Sequence, residues 1–324
     1  MPVILFVMLC SVVRPDSFVI YIQKSFEFSY VENYDSAKTY IDKAIALDPD
    51  NPIGYYTYTG LFRLYISDFV TDSLIDSFFY YADKSIEKAR QRLNKNKNDA
   101  WAHYILGGIN MYISSYYVEG GNYLKALGFA EKAVNEIILS LDIEPALYDA
   151  YLAMGSYEYL KGSFPLCGGY KKKGMEKIKI ASLKSKYGRF LAKNILAILY
   201  QHEGKYDDAI KEAEELVETY PESRTFRWTL CKTYFAMEDW DKTIENYEIL
   251  LQNIKEHQPK NIYNIIQIEL SLAEAYYHTA EYDKVKEMCN DIFERGKDDS
   301  KMKKMVKEAE KLLKKAVGGT LKFR

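Results

Sequence analysis

The chain has 324 residues, a formal charge of −2 and an apolar share of 48%. That apolar share supplies a large core and excludes global disorder, and the balanced charge argues against nucleic acid as the main partner. Eight prolines, 17 glycines and the absence of any low-complexity tract favour long helices, arranged as one elongated repeat domain or as a few ordinary ones. The 30 tyrosines suit both inter-helix packing and a protein-binding groove, because each offers a large apolar body with a polar tip.

Residues 1–16 open on MPVILFVMLCSVV, an apolar run that Arg14, Pro15 and Asp16 break. The run is too short to span a bilayer, and no basic residues precede it as they would in a secretory signal. Leu9 is too bulky for a good lipoprotein site at Cys10. Two readings stand: a clipped or weak signal segment, and a buried N-terminal helix.

Residues 17–51 form a first unit, whose NYDSAKTYIDKAIALDPDN places Tyr34, Ala37, Ile41, Ala44 and Leu47 at helical spacing before Pro49. Residues 52–187 hold three stretched units with long helices and insertions. In the first of these, a helix from Pro52 is matched by a second carrying Ala82, Ile86 and Ala89. A helix from Asp99 with Trp101, Leu106 and Gly107 pairs with one carrying Ala126, Ala130 and Ala133. A third, from Tyr148 with Tyr151, Met154 and Gly155, is followed by the loop GSFPLCGGYKKKG and then by Gly174, Ile178 and Ala181.

Residues 190–299 hold three regular units. The clearest is FLAKNILAILYQHEGKYDDAIKEAEELVETYPES, 34 residues from Phe190 to Ser223. It reads as helix, Glu203-Gly204-Lys205 turn, helix and a terminating proline. Ala197 and Ala209 are small where the two helices cross, Tyr200 and Tyr206 fill the space beside them, and Ala213 and Leu216 extend the apolar stripe. Units beginning at Arg224 and near Ile266 repeat the pattern through Leu230, Cys231, Tyr234 and Leu250, and through Leu272, Ala273, Tyr276 and Ile292. Residues 300–324 are a terminal helix and basic tail. Met302, Met305, Val306, Ala309, Leu312 and Leu313 line one face, and nine Lys or Arg against two Glu solvate the other, as a solenoid's closing helix requires.

This period and spacing resemble the tetratricopeptide repeat family over most of the chain. The resemblance implies an all-α, right-handed superhelix of about seven helix pairs plus a C-terminal capping helix. Segments such as ALYDAYLAMGSYEYLKGSF also resemble bacterial envelope-associated repeat proteins, which points toward the periplasm or cell envelope.

Catalytic constellations do not emerge. Four histidines (His103, His202, His257, His278) share no HExxH, and Cys10, Cys167, Cys231 and Cys289 form no short metal spacing. The Cys167–Gly174 stretch lacks the order of a phosphate loop, since Met175 follows Gly174 and no strand precedes it. No cofactor, metal or catalytic residue is expected. The resemblance implies instead that first helices line a concave face, placing Tyr56, Arg63, Tyr104, Met111, Tyr159, Asn194, Gln201, His202, Trp228, Lys232, Phe235, Glu274, Tyr277 and His278 against a protein or peptide partner. The family's Lys/Asn/Arg carboxylate clamp is matched by Asn194 and Lys232 at most, so a chaperone-tail receptor is not expected. The expected function is a non-catalytic interaction scaffold. The alternatives are an envelope assembly or transport accessory, and then an enzyme or small-ligand module. Membrane association through the N-terminal segment or the basic tail fits the second reading.

Overall fold

The computed structural model describes residues 16–164 and 168–322, and among them every regular element is a helix. The helices run in consecutive antiparallel pairs: α1 (Asp16–Tyr30) with α2 (Tyr34–Leu47), α3 (Pro52–Phe69) with α4 (Ile75–Lys95), and α5 (Ala100–Glu119) with α6 (Tyr123–Ile143). Then follow α7 (Tyr148–Gly162) with α8 (Gly169–Lys184), α9 (Arg189–His202) with α10 (Tyr206–Thr219), α11 (Arg224–Ala236) with α12 (Trp240–His257), and α13 (Ile262–His278) with α14 (Tyr282–Gly296). The unpaired α15 (Lys303–Lys322) closes the stack. Seven pairs and a terminal helix are thus what the repeat pattern implies.

Local chemistry sets the helix ends. Asn33, Asn51, Asp99, Asn122, Ser223, Asp239 and Asn261 each accept a hydrogen bond from an N–H in the following first turn. Within five pairs the residue just before the second helix's N-cap is left-handed: Glu32, Gly121, Gly204, Glu238 and Ala280, with φ between 48° and 72°. Two of these are glycines, which take that conformation without steric cost. The other three carry a Cβ against it.

Small residues set how closely paired helices approach. Gly155 and Gly174 face each other across α7 and α8, and a methyl on Gly155 would lie 2.7 Å from the Gly174 carbonyl oxygen. This contact explains a difference from the sequence expectation: the GYKKKG half of the supposed inter-helix loop is the first turns of α8. Packing α7 closely on α8 through glycine draws those residues into the helix. The N-terminal 1–15 run and Cys167 lie outside the described residues.

The core falls into several clusters, each shared by neighbouring pairs. Its largest cluster gathers Leu250, Ile266, Leu272, Tyr276, Ile292 and, from α15, Val306, Ala309 and Leu312. The last helix therefore covers the apolar end of the stack, the role its one-sided pattern implies. Cys231 and Cys289 are both buried in this cluster.

Two substitutions test these local rules by urea denaturation. Gly155→Ala is expected to lower stability by about 1–3 kcal/mol, because the methyl meets backbone that must move. Ala280→Gly, at φ 62°, is expected to raise it by up to about 1 kcal/mol.

Candidate binding site

The site depends on contacts between the two ends of the chain. At the end of α3, the Asp68 carboxylate binds the Arg224 guanidinium at 2.6 Å, and both side chains are buried. The Tyr34 hydroxyl donates to the same carboxylate at 2.7 Å, and the Asp68 carbonyl accepts from the side-chain amides of Asn261 and Asn264 at 3.0 and 2.8 Å. In the α1–α2 turn, Glu32 accepts from the backbone N–H groups of Arg224 at 2.9 Å and Thr225 at 3.0 Å. Glu32 therefore caps the start of α11 from almost two hundred residues away. The N-terminus of a helix favours such a carboxylate.

Aromatic rings extend the clasp. Tyr30 packs on Phe190, Tyr220 and Phe226 with centroids 5.3–5.7 Å away, and its hydroxyl donates to the Tyr187 carbonyl at 2.8 Å. Tyr187 in turn meets Phe26 and Trp101. Asp149, at the start of α7, accepts the N–H groups of Lys186, Tyr187 and Gly188 and so fixes the approach to α9.

Between the clasp and the concave helices lies a cavity of about 1440 Å³. The ends of α3 and α5 supply Ile66, Asp68, Tyr116 and Glu119 to its wall. The opposite wall carries Asn194, Ile198, Gln201 and His202 from α9, Trp228 and Lys232 from α11, and Tyr263, Asn264 and Gln267 from α13. Three features give this wall its chemistry. Asn194 is buried, and its Oδ1 accepts no hydrogen bond among the described residues. The Lys232 ammonium sits 5.4 Å from the Trp228 ring centre, pairs with no carboxylate among the described residues, and has its pKa lowered by desolvation against the wall. The Gln201 amide donates to the Lys232 carbonyl at 2.8 Å, which ties α9 to α11.

The structure divides the residues that sequence reasoning put on the concave face. Asn194, Gln201, His202, Trp228 and Lys232 come together on the cavity wall. Tyr56 and Tyr104 instead pack on each other and, through Tyr56, on Tyr112; their hydroxyls lie 3.3 Å apart, and burial raises all three phenol pKa values. The Arg63 guanidinium is buried against Glu119, Ser67 and Ser115. The Tyr159 hydroxyl donates to Glu203 at 2.6 Å and faces a smaller hollow, which His202 shares. Met111 is half-buried. Phe235 and His278 both rest on Trp240, His278 in a parallel stack at 4.2 Å, and Tyr277 packs on Tyr282. Glu274 is exposed. Sequence reasoning missed Glu32, Asp68, Asn261 and Asn264, and saw Arg224 merely as the start of a repeat.

Other chemistry-bearing groups have structural surroundings. Burial raises the thiol pKa of Cys231 and takes that of Cys289 to about 11, so neither is a ready nucleophile. His103 bonds Glu136 at 2.6 Å. Among the described residues no His, Cys, Asp and Glu group is arranged to hold a metal, and no helix is long and apolar enough to cross a membrane.

No protein-family model matches the chain, and no curated protein matches it in sequence. Among solved structures, a chain of the APC/C hetero-tetramer Cut9–Hcn1 is similar at a TM-score of 0.59 and 14% identity, over 92% of this chain and 55% of that one. A thermophilic repeat protein of Thermus thermophilus is similar at a TM-score of 0.44 and 15% identity, over 67% of this chain and 98% of that one. The C-terminal part of a Cytophaga hutchinsonii repeat protein is similar at a TM-score of 0.47 and 17% identity, over 88% and 99%. The fold is that of the tetratricopeptide-repeat solenoids.

The clasp carries a pH signature. Burial moves the Glu32 carboxyl up from about 4.5 to about 7, against the opposing pull of Arg224, while Asp68 adds to the rise. The folded chain therefore binds this proton more tightly than the unfolded chain. The resulting stabilisation is full below about pH 4.5 and is lost as pH rises through about 7. Thermal unfolding followed by circular dichroism should show a higher Tm at mildly acidic than at mildly alkaline pH. Glu32→Gln should remove most of that difference.

Proposed function

We propose that the chain is a non-catalytic scaffold that binds a segment of a partner protein in the cavity between the clasp and helices α9, α11 and α13. The observation that carries this reading is the juxtaposition of the Trp228 ring and the Lys232 ammonium on one wall of the cavity. An aromatic face and an unpaired cation match what a peptide offers: side chains to bury and acidic groups. The raised thiol pKa values of Cys231 and Cys289 support a binding role over covalent catalysis.

Selection from a random peptide library on the immobilised chain, followed by titration calorimetry, tests this directly. Selected peptides are expected to bind the Trp228→Ala, Lys232→Glu double variant at least about 30-fold more weakly, the loss of one strong aromatic anchor being about 2 kcal/mol. Helicity should stay unchanged, because neither side chain is fully buried in the wall. Peptides that bind wild type and variant equally would overturn the assignment of this wall.

A further inference from the structure

The clasp and the cavity share residues. Asp68, Arg224 and Asn264 line the cavity and also carry bonds that join the two ends of the chain. Thr225 lines it too, and donates its backbone N–H to Glu32. A segment lodged in the cavity therefore touches the clasp itself. Glu32 stands behind this wall and does not line the cavity, so a change at Glu32 reaches a bound segment only through the clasp.

The cavity's walls belong to two bodies. On one side, Arg63 of α3 holds α5 through Glu119 and Ser115. On the other, Gln201 of α9 holds α11. Extensive packing of helix on helix joins no two helices more than two apart in chain order. The ends of the chain meet instead through point contacts: the Tyr30 ring on Phe226, the Glu32 carboxylate on the start of α11, and the bonds made by Asp68. A joint of this kind can part without unpacking any helix pair.

The charges in the joint do not balance. The charged and titratable groups facing Glu32 are Arg224 from α11, Asp68 from α3 and Tyr34 from α2. Helices α12 and α13 bring neutral amides: Asn253 meets Arg224, and Asn261 and Asn264 meet Asp68. With Glu32 ionised, two buried carboxylates face one guanidinium. A proton on Glu32 removes the excess charge, and both its oxygens keep lone pairs for the N–H groups of Arg224 and Thr225.

We propose that the clasp gates the cavity: closure assembles the two walls around a partner segment, a proton on Glu32 favours closure, and loss of that proton loosens it. The gate rests on the peptide-binding reading of the cavity. A segment that touches both walls binds the closed form better than the open one, so binding shifts the chain toward closure and a loosened clasp weakens binding. The Glu32 carboxyl protonates at about 7 in the closed form and at about 4.5 when released. Closure is therefore favoured about 10-fold more at about pH 6 than at about pH 8.

Two measurements on the full chain test the gate. The N–H groups of Arg224 and Thr225 lie in the first turn of α11 and have no acceptor within the helix, so Glu32 is what protects them from exchange. Their hydrogen-exchange protection, corrected for the intrinsic rate, should be about 10-fold higher at about pH 6 than at about pH 8 in the wild type, and equal at both in Glu32→Gln. Calorimetry with a peptide selected on the chain should show binding up to about 10-fold tighter at the lower pH in the wild type, no pH difference in Glu32→Gln, and weaker binding at both in Glu32→Lys. Circular dichroism should show unchanged helicity in both variants. Protection that ignores pH in the wild type would overturn the gate. So would a pH dependence of affinity that persists in Glu32→Gln, which would assign it to His202, Lys232 or the peptide. Wild-type affinity in Glu32→Lys would overturn it too. Failure to select any peptide would overturn the peptide reading instead, and amide exchange would still decide whether the clasp opens with pH.

Discussion

One buried guanidinium holds the ends of this solenoid together. Arg224 starts α11, is almost fully covered, and faces the carboxylates of Asp68 and Glu32 from the first two helix pairs. A guanidinium suits this position because it stays protonated and bonds in a fixed plane. Burying it costs solvation that its partners must offset. Asp68 offsets it with a charge-assisted bond, while Glu32 accepts from the helix backbone beneath. Asn261 and Asn264 reach the Asp68 carbonyl, so two successive pairs of the C-terminal half converge on one residue of α3.

That convergence decides how much of the concave face stays open. In an open solenoid the first helices would all face a free groove. Here the aromatic residues of the first half pack among themselves and against Tyr187, Phe190, Tyr220 and Phe226. The groove is thereby reduced to a cavity lined by α9, α11 and α13 and by the ends of α3 and α5. Several tyrosines serve this internal contact: Tyr30 packs its ring on Phe190, Tyr220 and Phe226, and the Tyr30 and Tyr34 hydroxyls donate to the Tyr187 carbonyl and the Asp68 carboxylate.

The repeat was legible because its signals are local. Alanine or glycine at crossings, tyrosine beside them and short turns recur at a fixed period, and each restates the same geometry. The family resemblance put Asn194, Gln201, Trp228 and Lys232 on the concave face, and the structure brings them together on one wall of the cavity. The same rule put Tyr56, Arg63 and Tyr104 on the concave side, yet could not reveal that neighbouring helices engage them. The clasp was not legible at all. Asp68 and Arg224 are 156 residues apart, and their meeting follows from accumulated curvature, to which every pair contributes a small rotation. Glu32 gave no signal either, since a glutamate in an inter-helix turn reads as solvated surface. The long central helices were visible as surplus residues.

Closure by Arg224 is tested most directly by small-angle X-ray scattering of the wild type and of Arg224→Ala in dilute solution. A clasped chain gives a wild-type profile that fits the closed turn, and a variant whose radius of gyration and maximum dimension increase as the ends separate. A wild-type profile that fits only an extended superhelix, or a variant indistinguishable from a compact wild type, would contradict closure through this residue.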